Sequence, residues 1–318
     1  MKKRLLIPII ILVFVLMLNG CKKETVVEQP DIIQPPDEEI EKVEDEDERK
    51  SIMDAFSSLI EDNDPLIIKE FVDGNIAKLS QLEGNEMIDS LEKSLVDNVE
   101  SVTNRLMTKD ENSELIEIAS AEFFFPEDKV KDIKNEELKT EVATIFDSMY
   151  KLVNLEGSFY PIVDYARLQE YNNYVTDEWK EYIAVRAMDS NVPPFVDGAL
   201  VISYDDLANR LLKTENYLNK YLDSSRQDVM LDSYHNKINI YLKGVDNTPI
   251  ADHASKIIYD DVLDSYVNTS HNEGYLTADI LRRYVNVIEE NDKIIDDKVL
   301  QLGDKLIAEA IEILTEYK

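Results

Sequence analysis

The chain has 318 residues, and its 66 acidic and 34 basic side chains give a formal net charge of −32. Such acidity argues against nucleic-acid binding, because Lys and Arg side chains must neutralise the phosphates of the partner. Eight Gly and ten Pro are few for a protein with many tight turns, which favours helices over sheets. Cys21 is the single cysteine, so the residues beyond it cannot form a disulfide or a cysteine-based zinc site.

The first residues have the composition of a secretory signal sequence. Lys2, Lys3 and Arg4 form a positively charged start, and an apolar run follows at residues 5–18. A membrane-spanning helix needs about 20 mostly apolar residues, and Pro8 further weakens a helix in this short run. The segment therefore predicts export from the cytoplasm rather than a transmembrane anchor.

The apolar run ends in Leu18-Asn19-Gly20-Cys21, which resembles the lipobox of bacterial lipoproteins. The resemblance implies cleavage between Gly20 and Cys21 and attachment of a diacylglycerol lipid to the Cys21 sulfur. Residues 1–20 would then be removed, and fatty acids such as palmitate would anchor an extracytoplasmic protein to the cell membrane. Two or three acyl chains hold a protein durably, since each buried CH₂ contributes about 0.8 kcal/mol. An ordinary secretory signal and an uncleaved anchor are the alternatives.

Residues 21–50 are predicted to form a disordered linker that begins with the lipidated cysteine. The tract at residues 37–48 holds nine acidic side chains in twelve residues, which repel one another and bury little apolar area. The linker is therefore expected to hold the following domain away from the membrane. A calcium-binding tail is the alternative, although the tract lacks the glycine and the alternating ligands of an EF-hand loop.

Apolar residues at three- and four-residue steps recur through most of the remaining chain and predict amphipathic helices. Asp64-Pro65 is a typical helix start, and Ser203 with Asp206 has the spacing of a capping box. The predicted helices lie at residues 51–62, 64–82, 88–106, 136–155, 161–188, 203–222, 225–242, 251–267 and 277–317, and the one at residues 161–188 is either continuous or two helices joined near residue 176. The last of the predicted helices would measure about 60 Å as one helix, unless it breaks or bends near residues 291–292 or near Gly303.

These helices predict an all-α fold, an elongated multi-helix bundle of long amphipathic helices that bury their apolar stripes against one another. No tyrosine precedes Tyr150 and no phenylalanine follows Phe195. This shift in composition suggests two helical subdomains, an N-terminal one at residues 51–130 and a Tyr-rich one at residues 131–318. The tyrosines are expected to pack between helices rather than to form an aromatic binding surface.

The segment at residues 189–206 is the candidate ligand site, because it combines two adjacent prolines with several carboxylates. Asp197 and Asp205 would supply oxygen atoms to a cation or a ligand. Trp179 and Tyr204 would form aromatic walls of the same pocket. The alternative is that the segment is a stiff connector between two long helices, with a short extended stretch after the prolines.

Catalytic motifs are missing from the sequence. His235, His253 and His271 are the only histidines, and their wide spacing does not match a zinc site, so no metal or cofactor is predicted. The chain also lacks a Gly-x-Ser-x-Gly elbow, a Walker loop and a dinucleotide-binding turn. A non-catalytic domain that binds a protein or another cell-envelope partner is the favoured interpretation. The alternative is a cell-envelope enzyme that hydrolyses wall glycan or peptide with carboxylates as acid and base.

The lipobox makes a direct prediction about acylation. Labelled fatty acid should attach to the wild-type chain in a bacterial host, and Cys21→Ala should abolish the label, because the thiol is the site of acylation. The measurement is autoradiography of the protein after cell fractionation. If the variant still takes up label and remains in the membrane fraction, the assignment of the anchor is wrong.

Overall fold

Amphipathic helices build most of the structure, a computed structural model that describes residues 46–60, 64–110 and 113–316. The signal sequence, Gly20, Cys21 and the predicted linker up to residue 45 lie outside the described residues. In chain order the helices are α1 (Glu46–Leu59), α2 (Pro65–Asn75), α3 (Gln81–Lys109), α4 (Glu114–Ala119), α5 (Glu136–Asp147), α6 (Tyr165–Leu168), α7 (Asp177–Asn191), α8 (Tyr204–Lys220), α9 (Gln227–Lys243), α10 (Asp260–Ser270), α11 (Leu276–Glu290) and α12 (Asp297–Glu316). Short 3₁₀ turns lie at Ile76–Lys78, Glu127–Asp132 and Gln169–Tyr174.

Local sequence sets several of the helix starts. The Asp64 carboxylate accepts hydrogen bonds from the first backbone amides of α2, at 2.9 Å from the Leu66 nitrogen, and Pro65 occupies the first helical position. The Ser203 hydroxyl accepts a hydrogen bond from the Asp206 amide at 3.0 Å. Both predicted caps are therefore confirmed, because a side-chain oxygen satisfies amides that have no partner inside the helix.

Three short antiparallel hairpins correct the all-α prediction, so the chain is predominantly helical rather than entirely so. Their strands are β1 (Tyr150–Leu155) with β2 (Ser158–Val163), β3 (Phe195–Val196) with β4 (Ala199–Leu200), and β5 (Gly244–Val245) with β6 (Thr248–Pro249). The β3–β4 pair contains part of the stretch that was predicted to be extended.

The β1–β2 hairpin replaces the end of one predicted helix and the start of another. The helix predicted at residues 136–155 stops at Asp147, and Pro161, predicted to begin a helix, lies inside β2. The two turn residues, Glu156 and Gly157, have φ angles of 49° and 83°. A two-residue turn with positive φ at both positions matches the right-handed twist of paired strands, and it is incompatible with a continuing helix.

Three other predicted helices are also shorter than expected. The one predicted at residues 64–82 ends at Asn75. The one predicted at residues 251–267 begins at Asp260, and the one at residues 277–317 is split into α11 and α12. At the split, Asp292 and Lys293 have φ angles of 54° and 63°, which a right-handed helix cannot contain. The predicted break near residues 291–292 is therefore confirmed, whereas Gly303, the alternative position, lies inside α12.

Helix α3 organises the first half of the described chain. It packs against α2, α5, β2 and the Gln169–Tyr174 turn, and the described residues form one compact unit. Its predicted apolar stripe is fully buried apart from half-buried Val99, and comprises Ile88, Leu91, Leu95, Val102 and Leu106. The contacts of α3 with α5 and β2 cross the boundary suggested between two subdomains, a division that stays a prediction.

Glu215 is a buried carboxyl that joins two helices of the second half. It lies on α8, and its oxygens accept hydrogen bonds from the Leu276 and Thr277 amides at 2.6 and 3.0 Å. These amides begin α11, where the helix dipole favours a negative group. Burial raises the pKa of Glu215, while these hydrogen bonds oppose the rise. Helix α11 thus receives its N-terminal cap from another helix rather than from its own sequence.

A close approach at Gly84 generates a stability prediction. A Cβ at this position of α3 would lie 2.1 Å from the Tyr174 carbonyl oxygen, which belongs to backbone and cannot rotate away. Gly84→Ala should therefore lower the free energy of unfolding by about 2 kcal/mol or more. Gly74→Ala is the matched control, since nothing lies within 4 Å and alanine should stabilise α2 by up to about 1 kcal/mol. Urea unfolding of both variants measures the difference, and equal stabilities would contradict this packing.

Candidate binding cleft

A cleft opens between α3, the β1–β2 hairpin, α7 and α9. It consists of two adjacent chambers that share Val96, Tyr165, Arg186 and Val229 in their walls. The larger, which we name the apolar chamber, has a volume of about 680 Å³. The smaller, the polar chamber, has a volume of about 350 Å³. Each chamber is in the size range of small-molecule sites, about 300–1,000 Å³.

The walls of the apolar chamber come mainly from the hairpin and from the segment after α7. Val153 and Leu155 lie two residues apart on β1 and therefore face the same side of the hairpin. Pro194 and Phe195 come from the proline-containing segment, which the sequence had marked as unusual. The remaining apolar lining residues include Val96, Val99, Pro161, Ile162, Val163, Pro193 and Val229.

Glu92 is buried beside the polar chamber, with 4% of its surface exposed. Its Oε1 accepts hydrogen bonds from the Tyr165 hydroxyl at 2.7 Å and from the Tyr182 hydroxyl. Its Oε2 lies 3.4 Å from a guanidinium nitrogen of Arg226, but the two atoms do not form a hydrogen bond. Burial raises the pKa of the Glu92 carboxyl, and the tyrosine hydroxyls partly offset this rise. Both oxygens are thus turned towards the protein.

Arg226 closes one wall of the polar chamber. Its guanidinium lies 4.7 Å above the ring of Trp179 and forms an ion pair with Asp89 on α3. Burial lowers the pKa of Arg226, but an arginine remains charged at every accessible pH. Trp179, one of the predicted site residues, therefore lies behind the polar chamber, where it supports Arg226.

Arg186 lines both chambers and has an unusual environment. It donates one hydrogen bond to the Tyr165 hydroxyl at 2.9 Å, and its guanidinium lies 4.5 Å from the centre of that ring. In the part of the chain that the structure describes, no carboxylate oxygen lies within 4.0 Å of it. Every other described arginine, namely Arg49, Arg105, Arg167, Arg210, Arg226, Arg282 and Arg283, has such a partner.

A second buried charge cluster supports the floor of the apolar chamber. Lys237 on α9 is 4% exposed, and its ammonium lies 2.7 Å from an Asp189 oxygen. Arg210 on α8 binds the other Asp189 oxygen at 3.0 Å and donates to the Val192 carbonyl oxygen at 2.8 Å. Burial lowers the pKa of Lys237, and Asp189 counteracts this effect. The cluster fixes the end of α7 against α8 and α9.

The structure does not bring the four predicted ligand residues together. Trp179 lies near Glu181, which pairs with Lys220 at the end of α8, whereas Tyr204 begins that helix. Because α8 has 17 residues, the two aromatic side chains lie near opposite ends of a helix about 25 Å long. Tyr204 packs against the ring of Tyr241 at 6.0 Å, inside the core. A ligand-binding role for this set stays a prediction.

Asp197 and Asp205 have no common site either. Asp205 is exposed on the first turn of α8. Asp197 and Gly198 form the β3–β4 turn, with φ angles of 51° and 71°. The carbonyl oxygen of Asp197 accepts a hydrogen bond from the Asn247 side chain at 2.6 Å, which ties this hairpin to β5–β6. The segment contributes to the cleft through its proline and phenylalanine side chains rather than through its carboxylates.

The described residues contain neither a membrane-spanning helix nor a metal-binding cluster. None of their helices is long and apolar enough to cross a membrane. The three histidines are exposed, and within residues 46–60, 64–110 and 113–316 no group of three or more His, Cys, Asp or Glu side chains could hold a metal ion. No protein-family model, curated protein or solved structure matches the chain.

The raised pKa of Glu92 predicts a pH dependence of stability. A carboxyl whose pKa is raised by folding stabilises the protein below its ordinary value of 4.5, and this stabilisation is lost as the pH rises through the folded pKa. Glu92→Gln should therefore remove a fall in unfolding free energy that the wild type shows above about pH 4.5. Urea unfolding over a pH series measures both slopes.

Glu309 provides a control of opposite sign. Its hydrogen bonds from Arg283 lower the pKa, so its stabilisation is present at higher pH and lost as the pH falls. Since this pair is exposed and screened by solvent, Glu309→Gln should change the profile only slightly and in the other direction. Identical profiles for the wild type and Glu92→Gln would contradict the described burial of Glu92.

Proposed function

We propose that this chain is a membrane-anchored extracytoplasmic lipoprotein that binds a ligand or an envelope partner in the cleft without catalysis. The observation that carries the binding role is the combination of apolar walls with Arg186, a guanidinium without a carboxylate partner among the described residues. Binding sites commonly pair an apolar lining with a few oriented polar groups. The lipobox resemblance at Cys21 supports the anchor.

The arrangement around Glu92 supports binding over catalysis. A general acid must reach the substrate within hydrogen-bonding distance. One Glu92 oxygen accepts hydrogen bonds from two tyrosine hydroxyls, and the other is buried against Arg226. Asp189 is likewise paired with Lys237 and Arg210. Both carboxyls therefore hold the walls of the cleft in place.

A cell-envelope enzyme that hydrolyses wall glycan or peptide is the second candidate. One observation favours it, since a carboxyl with a raised pKa beside a cleft is typical of a general acid. The two candidates predict different effects of Glu92→Gln on the hydrolysis of purified cell walls. Release of soluble wall fragments by the wild type, but not by the variant, would establish the enzyme.

The proposed arrangement places the binding domain beyond a spacer. The acidic linker between Cys21 and α1 would repel the anionic head groups of the membrane and hold the cleft clear of them. Helix α1 begins at Glu46, earlier than the predicted boundary of the linker at residue 50. The proposal also includes an elongated helical bundle and its division into two helical subdomains.

Site-specific crosslinking in living cells tests where binding occurs. Val96 is 50% exposed and lies in the wall shared by both chambers, whereas Ile257 is 47% exposed and lies outside the cleft. A photoreactive amino acid at position 96 should give an adduct of defined mass, because the bound partner contacts this wall. The same group at position 257 should give none. Adducts at both positions, or at neither, would argue against the cleft as the binding surface.

A further inference from the structure

The unpaired guanidinium of Arg186 is the feature from which the ligand chemistry can be inferred. The chain carries nearly two acidic side chains for each basic one, so a basic group usually finds a carboxylate nearby. Arg186 instead packs on the rings of Tyr165 and Tyr182, at 4.5 and 5.9 Å from their centres. An arginine presents five N–H donors, and only one donates to a described acceptor. The remaining donors are available to a group that enters the cleft.

The charges around the cleft set how much negative charge can be bound. Four basic and three acidic groups form the buried or half-buried set, namely Arg186, Arg210, Arg226 and Lys237 with Asp89, Glu92 and Asp189. The net charge of this set is one positive charge when every carboxyl is ionised. At the rim, exposed Lys93, Asp97 and Asp232 leave one negative charge. A single negative charge is therefore matched inside, whereas a polyanion would be repelled at the entrance.

The apolar chamber determines the rest of the ligand. Arg186, Asp189 and Lys237 lie among walls that are otherwise mostly apolar, with Ile162 from the hairpin and Phe195 from the proline segment. Burial of an apolar group in such a chamber is favourable because it removes apolar area from water. A purely polar anion would leave these walls in contact with water.

We propose that the cleft binds a small amphiphile with one negatively charged head group, held by Arg186 beside Lys237, and an apolar body that occupies the apolar chamber. This inference rests on the proposed binding function and specifies its ligand class. Fatty carboxylates and other singly charged apolar acids have this chemistry. Arg186 orients the head group through its free N–H donors, and the Tyr165 and Tyr182 rings hold the guanidinium in place.

Three probes with the same alkyl chain and different charge test the proposal. Octanoate, octanol and octyltrimethylammonium are titrated by calorimetry into the full lipoprotein in phosphatidylcholine vesicles at about pH 7.5, where the carboxylate is ionised. Vesicles without protein provide the blank for partition into lipid. Octanoate should bind at least about tenfold more tightly than the other two, because only its negative charge complements Arg186 and Lys237.

A charge placed at the entrance provides a variant that should remain folded. Val96 is 50% exposed and lines both chambers, so Val96→Glu adds a carboxylate to the cleft. Val201 is 49% exposed and lines neither chamber, so Val201→Glu adds the same charge outside them. Val96→Glu should weaken octanoate binding by about fivefold or more, and Val201→Glu should leave it nearly unchanged. Arg186→Met should remove the preference for octanoate, and Arg186→Lys should restore part of it.

The outcomes separate the ligand class from the proposed function. Equal binding of the three probes, no binding of octanoate, or equal effects of the two glutamate variants would overturn the inference. If the crosslink at position 96 still forms in cells, the cleft remains a binding surface for a ligand of other chemistry. If that crosslink is also absent, the proposed function fails as well.

Discussion

The buried carboxyl of Glu92 is the interaction on which the arrangement of the helices around the cleft depends. It lies on α3, and its partners come from α6, α7 and the turn before α9, so one side chain joins both halves of the described chain. Removal of a carboxyl from water costs several kcal/mol, and the cost is offset only when its oxygens have partners. The two tyrosine hydroxyls donate hydrogen bonds to one oxygen, and the Arg226 guanidinium offsets the charge of the other from 3.4 Å without a hydrogen bond. Any displacement of α3 relative to α7 would leave these polar groups unsatisfied.

The same requirement explains how tyrosine is used elsewhere in the core. Tyr150 and Tyr284 are fully buried, and their hydroxyls donate to the Leu95 and Leu242 carbonyl oxygens, at 2.7 and 3.3 Å. Each ring fills apolar space, while its hydroxyl satisfies a carbonyl oxygen of a helix. Because the residues after Cys21 cannot form a disulfide, stability comes from this burial and from hydrogen bonds such as these between buried polar groups. The predicted packing of tyrosines between helices is confirmed, although many are buried completely.

The cleft exists because a hairpin stands where the sequence pattern predicted helices. The β1–β2 pair presents Val153 and Ile162 to the apolar chamber. The clues were local, since Asp197-Gly198 is a residue pair that favours positive φ in two-residue turns and Gly157 is a glycine in the other turn. Helical periodicity in the flanking residues outweighed them, because a short apolar run fits either period. No comparable signal in the sequence marked Arg186. Whether a guanidinium has a carboxylate partner depends on distances between residues that are far apart in the sequence.

The sequence by itself determined the apolar stripe of α3, the caps at Asp64 and Ser203, and the predominance of helices, because these depend on neighbours within about one turn. It also supplied the lipobox resemblance at Cys21, which lies outside the described residues. Only the tertiary structure decided that Glu215 caps a distant helix and that Glu92 is enclosed by tyrosines. Tertiary contacts also left Arg186 as the one described arginine without a carboxylate within 4.0 Å. In an acidic chain many carboxylates are equivalent by composition, and only packing selects which of them meet which cations.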